Sequence, residues 1–155
     1  MRRLLHLSLL LFFSSIAIAQ TKFEEGYFIL NSGDRVECFI KKEVWKNNPT
    51  EIRYKLDLNS KESIASGNDI KEFGFTKGAV YVKATVQIDR SPSALNNLTI
   101  DRTPKFSEET LFLKLLVNGY AKLYQYDDKD LIRFFLSTWQ HSDYTISVQS
   151  IFDRL

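Results

Sequence analysis

From residue 20 onward, apolar side chains recur at every second position and hardly ever at the three-to-four spacing of a helix. A period of two puts alternate side chains on opposite faces of an extended strand. Val80, Val82, Ala84, Val86 and Ile88 alternate with Tyr81, Lys83, Thr85, Gln87 and Asp89. Ile52, Tyr54, Leu56 and Leu58 alternate in the same way with Glu51, Arg53, Lys55 and Asp57. Each run predicts a strand with one apolar face.

Turn chemistry connects further strands. Asn31-Ser32-Gly33-Asp34 separates Gly26 to Leu30 from Arg35 to Lys41 and predicts a hairpin, with Gly33 free to take a positive φ. Lys46-Asn47-Asn48-Pro49 is a second turn, in which Pro49 keeps Asn48 out of the helical region. Asn118-Gly119 suits a two-residue type I′ turn between Leu111 to Val117 and Tyr120 to Tyr126. Leu111, Leu113, Leu115 and Val117 would give that strand one wholly apolar face, as in the middle of a sheet. Asp127 to Asp130 turns the chain into Leu131 to Ser137, and Tyr144 to Val148 predicts a short last strand.

The fold class that follows is all-β and mainly antiparallel, a sandwich or partly open barrel. Its one long connection spans residues 90–107, holding Pro92, Pro104 and Asn96-Asn97 and room for a short helix over Ser93 to Leu98. Connections this long are often functional. The segment reads first as a crossover between two sheet layers and second as a binding lid. Glu108-Glu109 and the acids after Tyr126 read as solvated turn charges.

Residues 1–19 have a different character. Met1-Arg2-Arg3 is basic, Leu4 to Ile18 is largely apolar, and Ala17-Ile18-Ala19 has the small-x-small form that signal peptidase recognises. This predicts a cleaved leader over 1–19 and a single domain over 20–155. It implies export to the periplasm, the outer-membrane periphery or the outside, with no transmembrane segment in the mature chain. Arg2 and Arg3 also account for the whole excess of 21 basic over 19 acidic residues, so the mature chain is formally neutral. Neutrality argues against a nucleic-acid partner.

Composition narrows the chemistry. Cys38 is the only cysteine, so no internal disulfide is possible, and its alternation with Val36 and Ile40 predicts a buried thiol. His141 is the only histidine after the leader, leaving no zinc-ligand spacing and no Gly-x-Ser-x-Gly elbow for a Ser–His–acid arrangement. Asp127, Asp128 and Asp130 lack the glycine and distal glutamate of a calcium loop. Gly74-Phe75-Thr76-Lys77-Gly78 has the letters of a phosphate loop in the wrong order. No cofactor is indicated and no catalytic residue stands out.

Aromatics are the abundant resource: Phe73, Phe75, Tyr120, Tyr124, Tyr126, Phe134 and Phe135, of which most are expected in the core. Asn97-Leu98-Thr99 is a formal glycosylation sequon. A transmembrane barrel is disfavoured by short strands with densely charged polar faces.

Several phrases carry a resemblance: Gly26-Tyr27-Phe28-Ile29, Gly33-Asp34-Arg35-Val36-Glu37-Cys38, Trp45-Lys46-Asn47-Asn48-Pro49-Thr50, Ala84-Thr85-Val86-Gln87-Ile88-Asp89-Arg90-Ser91, and Leu111 to Gly119. Over about Phe23 to Phe135 the chain resembles a group of small exported proteins of Bacteroidota with a leader and a β-rich domain of uncharacterised function. The resemblance implies a Gram-negative envelope or secreted setting and brings no catalytic residues. Members of that group commonly continue into a longer, partly helical tail, whereas this sequence stops at Leu155.

The leading functional expectation is a non-enzymatic envelope domain that binds a partner, with Trp45, Asn47, Asn48, Arg90, Asn96 and Asn97 as candidate interaction surface. Candidate partners are an envelope protein or a small apolar ligand. A carrier with an aromatic-lined interior and a hydrolase of unrecognised type are the alternatives; the first needs a cavity, the second converging ionisable groups.

Overall fold

The computed structural model describes residues 22–43, 45, 48–91, 103–128, 131–138 and 149–150. They form ten strands: β1 (Phe23–Leu30), β2 (Arg35–Lys41), β3 (Glu51–Lys55), β4 (Ser63–Ser66), β5 (Ile70–Phe75), β6 (Val80–Asp89), β7 (Phe106–Asn118), β8 (Ala121–Asp128), β9 (Leu131–Thr138) and β10 (Gln149–Ser150). All belong to one open antiparallel sheet in the order β10-β9-β8-β7-β6-β5-β1-β2-β3-β4. The fold is therefore all-β and partly open, built from one sheet instead of two layers.

Chain connectivity forces this sheet to curl. β4 and β5 are joined by only Gly67-Asn68-Asp69, yet three strands lie between them in the sheet. In a flat sheet they would be about 19 Å apart, whereas the four Cα steps from Ser66 to Ile70 reach at most about 14 Å. The N-terminal strands must therefore roll toward closure. At the other end β10 lies four places from β6 but returns to within 8 Å of it between Cα atoms.

The two ends bury opposite faces. Phe28, Cys38, Ile40, Ile52, Ile70, Phe73 and Phe112 make the core of the N-terminal half. Ala84, Val86, Ile88, Leu111, Leu113, Tyr124, Tyr126 and Phe135 make that of the C-terminal half. Phe112 lies between Leu111 and Leu113 on β7, so one strand serves one core with its even position and the other with its odd ones. Each fully buried large side chain contributes roughly 1.5–3 kcal/mol.

Close approach in the first roll explains one glycine. A side chain at Gly26 would collide with the carbonyl oxygen of Gly74 across the β1–β5 pair. Gly33 is the described glycine with a positive φ, +103°, and it turns the β1–β2 hairpin as the sequence predicts.

Elsewhere the structure departs from the sequence reading. β3 stops at Lys55, and Leu56 and Leu58 lie in an exposed turn in which the Asp57 carboxylate accepts from Asn59 N–H at 2.8 Å. The β7–β8 turn is not the two-residue type. Leu115 pairs with Tyr124 but Val117 with Leu123, so a bulge at Leu116 moves Asn118 opposite Lys122. That register stacks buried Tyr124 over Leu115 and leaves Tyr120 in solvent at 83% exposure; core packing outweighs the local preference of Asn118-Gly119. The bulge also turns Val117 off the apolar face, 51% exposed.

Residues 90–105 are not a crossover between layers. Asp89 pairs with Phe106, so the segment joins two neighbouring strands of one sheet, and β7 begins five residues earlier than the apolar run implies. Glu108 and Glu109 consequently sit in β7 and not in a turn. The helix expected over Ser93 to Leu98, the leader, and the strand expected over Tyr144 to Val148 lie outside the described residues.

Candidate functional site

Where the two rolls meet, the loop from β2 to β3 crosses the face that the N-terminal core occupies. Trp45 in this loop is half-buried: its ring lies edge-on to Phe73 at 5.3 Å and to Tyr81 at 5.2 Å, and stacks on Phe75 at 6.0 Å. Pro49 and Asn48 follow. The Asn48 amide reaches β7, accepting from Phe112 N–H and donating to Phe112 O.

These bonds fall where β8 would otherwise pair. β8 is laddered to β7 only from Lys114↔Gln125 toward the turn, while its remainder, through Asp128, pairs with β9 alone. Asn48 thus satisfies the β7 edge that β8 abandons. Asp127 is left standing over the same face as Phe112 and Lys114.

The result is a cleft of about 460 Å³, floored by Trp45, Phe75, Tyr81 and Phe112. Its rim carries Glu24, Lys42, Glu43, Lys77, Lys114, Gln125 and Asp127. Glu24 is held by Lys22 at 2.9 Å and Lys42 at 3.0 Å, and these hydrogen bonds lower its pKa. Glu43 pairs with Lys41 at 3.4 Å. Among the described residues Lys77, Lys114, Gln125 and Asp127 make no side-chain hydrogen bond or ion pair. Burial, and the Asp127 charge beside it, raise the pKa of the Tyr81 hydroxyl. The cleft therefore combines aromatic surface with two free ammonium groups, a carboxylate and an amide.

Arg90 is elsewhere. It follows the last residue of β6, nine positions from Tyr81 and so about 30 Å away along the strand. Its guanidinium forks onto Glu109 and reaches the Tyr126 hydroxyl at 3.2 Å, with Asp128 at 3.8 Å. Ser107 donates to Glu109 at 2.6 Å. Hydrogen bonds from Arg90 and then Ser107 hold the Glu109 carboxyl down at about 2. Beside it Arg133 donates to Asp89 O at 2.9 Å and Ser91 O at 2.7 Å, while Asp89 accepts from the Ser91 and Lys105 amides. This network staples both ends of the 90–105 segment.

Of the six sequence candidates, the structure brings Trp45 and Asn48 to the cleft and sets Arg90 in the distant staple. Asn47, Asn96 and Asn97 lie outside the described residues. Tyr81, Phe112 and Lys114 are not among the sequence candidates, while Phe75 figures there only as one of the abundant aromatics and Asp127 only as a turn acid that lacks a calcium loop. Phe112 and Lys114 share one face of β7 by their spacing of two, but only the curl brings them under Trp45.

Among the described residues no group of three or more His, Cys, Asp or Glu side chains is arranged to hold a metal ion, and no helix is long and apolar enough to cross a membrane. No known family, curated protein or solved structure matches the chain.

Proposed function

We propose that this chain is an exported cell-envelope β-domain that works by binding rather than by catalysis, with the cleft beneath Trp45 as its ligand site. The observation that carries the reading is the cleft itself, whose volume of about 460 Å³ is within the range of small-molecule sites. Its aromatic floor is ringed by seven charged or amide side chains, a more polar lining than an apolar cargo would need. The leader read in residues 1–19 supports the envelope setting. Two of the three rim carboxylates are already engaged by lysines, which leaves Asp127 without a second free carboxylate to form a hydrolytic pair. The free charges favour a ligand with polar groups over a purely apolar cargo.

Native mass spectrometry of the chain recovered gently from its own envelope fraction tests this. The expected result is a bound mass on the order of a few hundred daltons. Ala79→Trp, which places an indole in the cleft from its rim, should abolish that mass while the far-UV circular dichroism stays unchanged. A bound mass indifferent to Ala79→Trp, or a bare chain, removes the cleft from the reading.

A further inference from the structure

We infer that the ligand of this cleft is an acidic saccharide, a sugar of about two rings carrying carboxylate groups; the inference rests on the cleft being the binding site. Three observations select this chemistry.

The floor is aromatic and drawn from three strands and a loop, with Trp45 and Phe75 stacked and Tyr81 beside them. A pyranose ring presents C–H groups on its flat faces and hydroxyls on its edges. It can therefore pack on such a floor while its polar edge meets the rim.

The rim is selective in what it leaves unused. Lys42 neutralises Glu24, and Lys41 neutralises Glu43. The groups still free among the described residues are the Lys77 and Lys114 ammoniums, the Asp127 carboxylate and the Gln125 amide. Two ammoniums suit carboxylates. An isolated carboxylate and an amide are acceptors and donors for hydroxyl groups. Lys77, Lys114 and Asp127 stand exposed at the rim, where they can meet the polar edge of a ligand seated on the floor.

At the floor residues themselves the backbone is already paired. β5 is laddered to β1 and β6, and β6 to β5 and β7. On β7, Asn48 already satisfies the backbone of Phe112. Peptide capture by strand addition needs unpaired N–H and C=O groups, and the backbone directly under the aromatic floor, at Phe75, Tyr81 and Phe112, offers none.

The test titrates the full chain, labelled with ¹⁵N, with digalacturonate, the neutral digalactoside of the same linkage, and a tetra-aspartate peptide. Digalacturonate should shift the amides of Lys77, Ala79, Lys114 and Gln125. It should bind at least about tenfold tighter than the neutral disaccharide, with affinity falling as salt is raised. Lys77→Met and Lys114→Met should each weaken it about tenfold without changing the thermal midpoint, and Lys114→Arg should restore binding. Equal binding of the neutral disaccharide overturns the acidic assignment. Tighter binding of the peptide at the same amides overturns the saccharide and leaves the cleft standing. If no probe shifts those amides the saccharide assignment falls, and the Ala79→Trp mass measurement decides separately on the cleft.

Discussion

Asn48 and Phe112, 64 residues apart in sequence, are joined by two hydrogen bonds in which a side-chain amide stands in for a strand: Phe112 N–H donates to Oδ1 at 3.1 Å and Nδ2 donates to Phe112 O at 2.7 Å. Asn48→Asp keeps the acceptor, loses the donor and sets a carboxylate oxygen against the Phe112 carbonyl. Asn48→Ala leaves both backbone groups without this partner. Each variant should lose about 1–3 kcal/mol of stability, read from urea unfolding, with the aspartate at least as destabilised as the alanine.

Glu109 should make stability depend on acid. Its folded-state value of about 2 lies below the ordinary 4.5, so as pH falls the unfolded chain takes up the proton first. The stabilisation is complete above about pH 4.5 and is lost as pH falls toward 2. Glu109 and Arg90 are each about a third exposed, at 29% and 32% of their side chains, and solvent screening reduces the pair to about 1 kcal/mol. Denaturation of the parent and Glu109→Gln chains should differ by that amount at pH 6 and converge near pH 2. A gap that stays constant across this range would show that the carboxylate is not the titrating group.

Cys38 is 5% exposed within the N-terminal core, and burial pushes its thiol up to about 12. Only the thiolate reacts readily with disulfide reagents. In native buffer at pH 8, labelling by a chromogenic disulfide should be slow, and urea should accelerate it in parallel with unfolding. Rapid labelling without denaturant would contradict the burial.

Gly26→Ala should be among the most damaging single-methyl additions in the chain. The added methyl meets backbone at Gly74, with the Ile40 side chain 3.1 Å away, so relief requires β1 and β5 to separate. A loss of about 1–3 kcal/mol is expected, against a change within about 0.5 kcal/mol for Thr85→Ser on the exposed face of β6. Thermal unfolding of the two variants makes the comparison.

How legible these features were in sequence follows from how local their causes are. β6 reads directly from its alternation, which is the burial pattern itself from Ala84 to Ile88. β3 was overextended because Leu56 and Leu58 continue the alternation into a turn that Asp57 and Ser60 close by hydrogen bonds. β4, Ser-Ile-Ala-Ser, is too short to carry a period, and the Leu116 bulge shifts a register that local turn chemistry would have set otherwise. At the site, Trp45 and Asn48 stood out as a loop, but their contacts Tyr81 and Phe112 depend on the curl of the whole sheet. Glu109 looked like a turn acid because nothing local announces Arg90 as its partner.

The opposed rolling of the sheet gives the middle of the chain an unusual burden. In most antiparallel sheets a strand has one face toward water, where substitutions accumulate at little cost. The stretch from Tyr81 to Ala84 and the facing stretch from Leu111 to Leu113 have no such face, since one side packs into each core and even Lys83 is anchored to Gly67 O and Asn68 O. Severing the chain before β6 would leave the N-terminal fragment without Phe112 and the C-terminal fragment with Tyr81 and Phe112 bare. The two halves therefore form one indivisible unit of inheritance, in which natural variation should be lowest at the centre and increase toward both sheet edges.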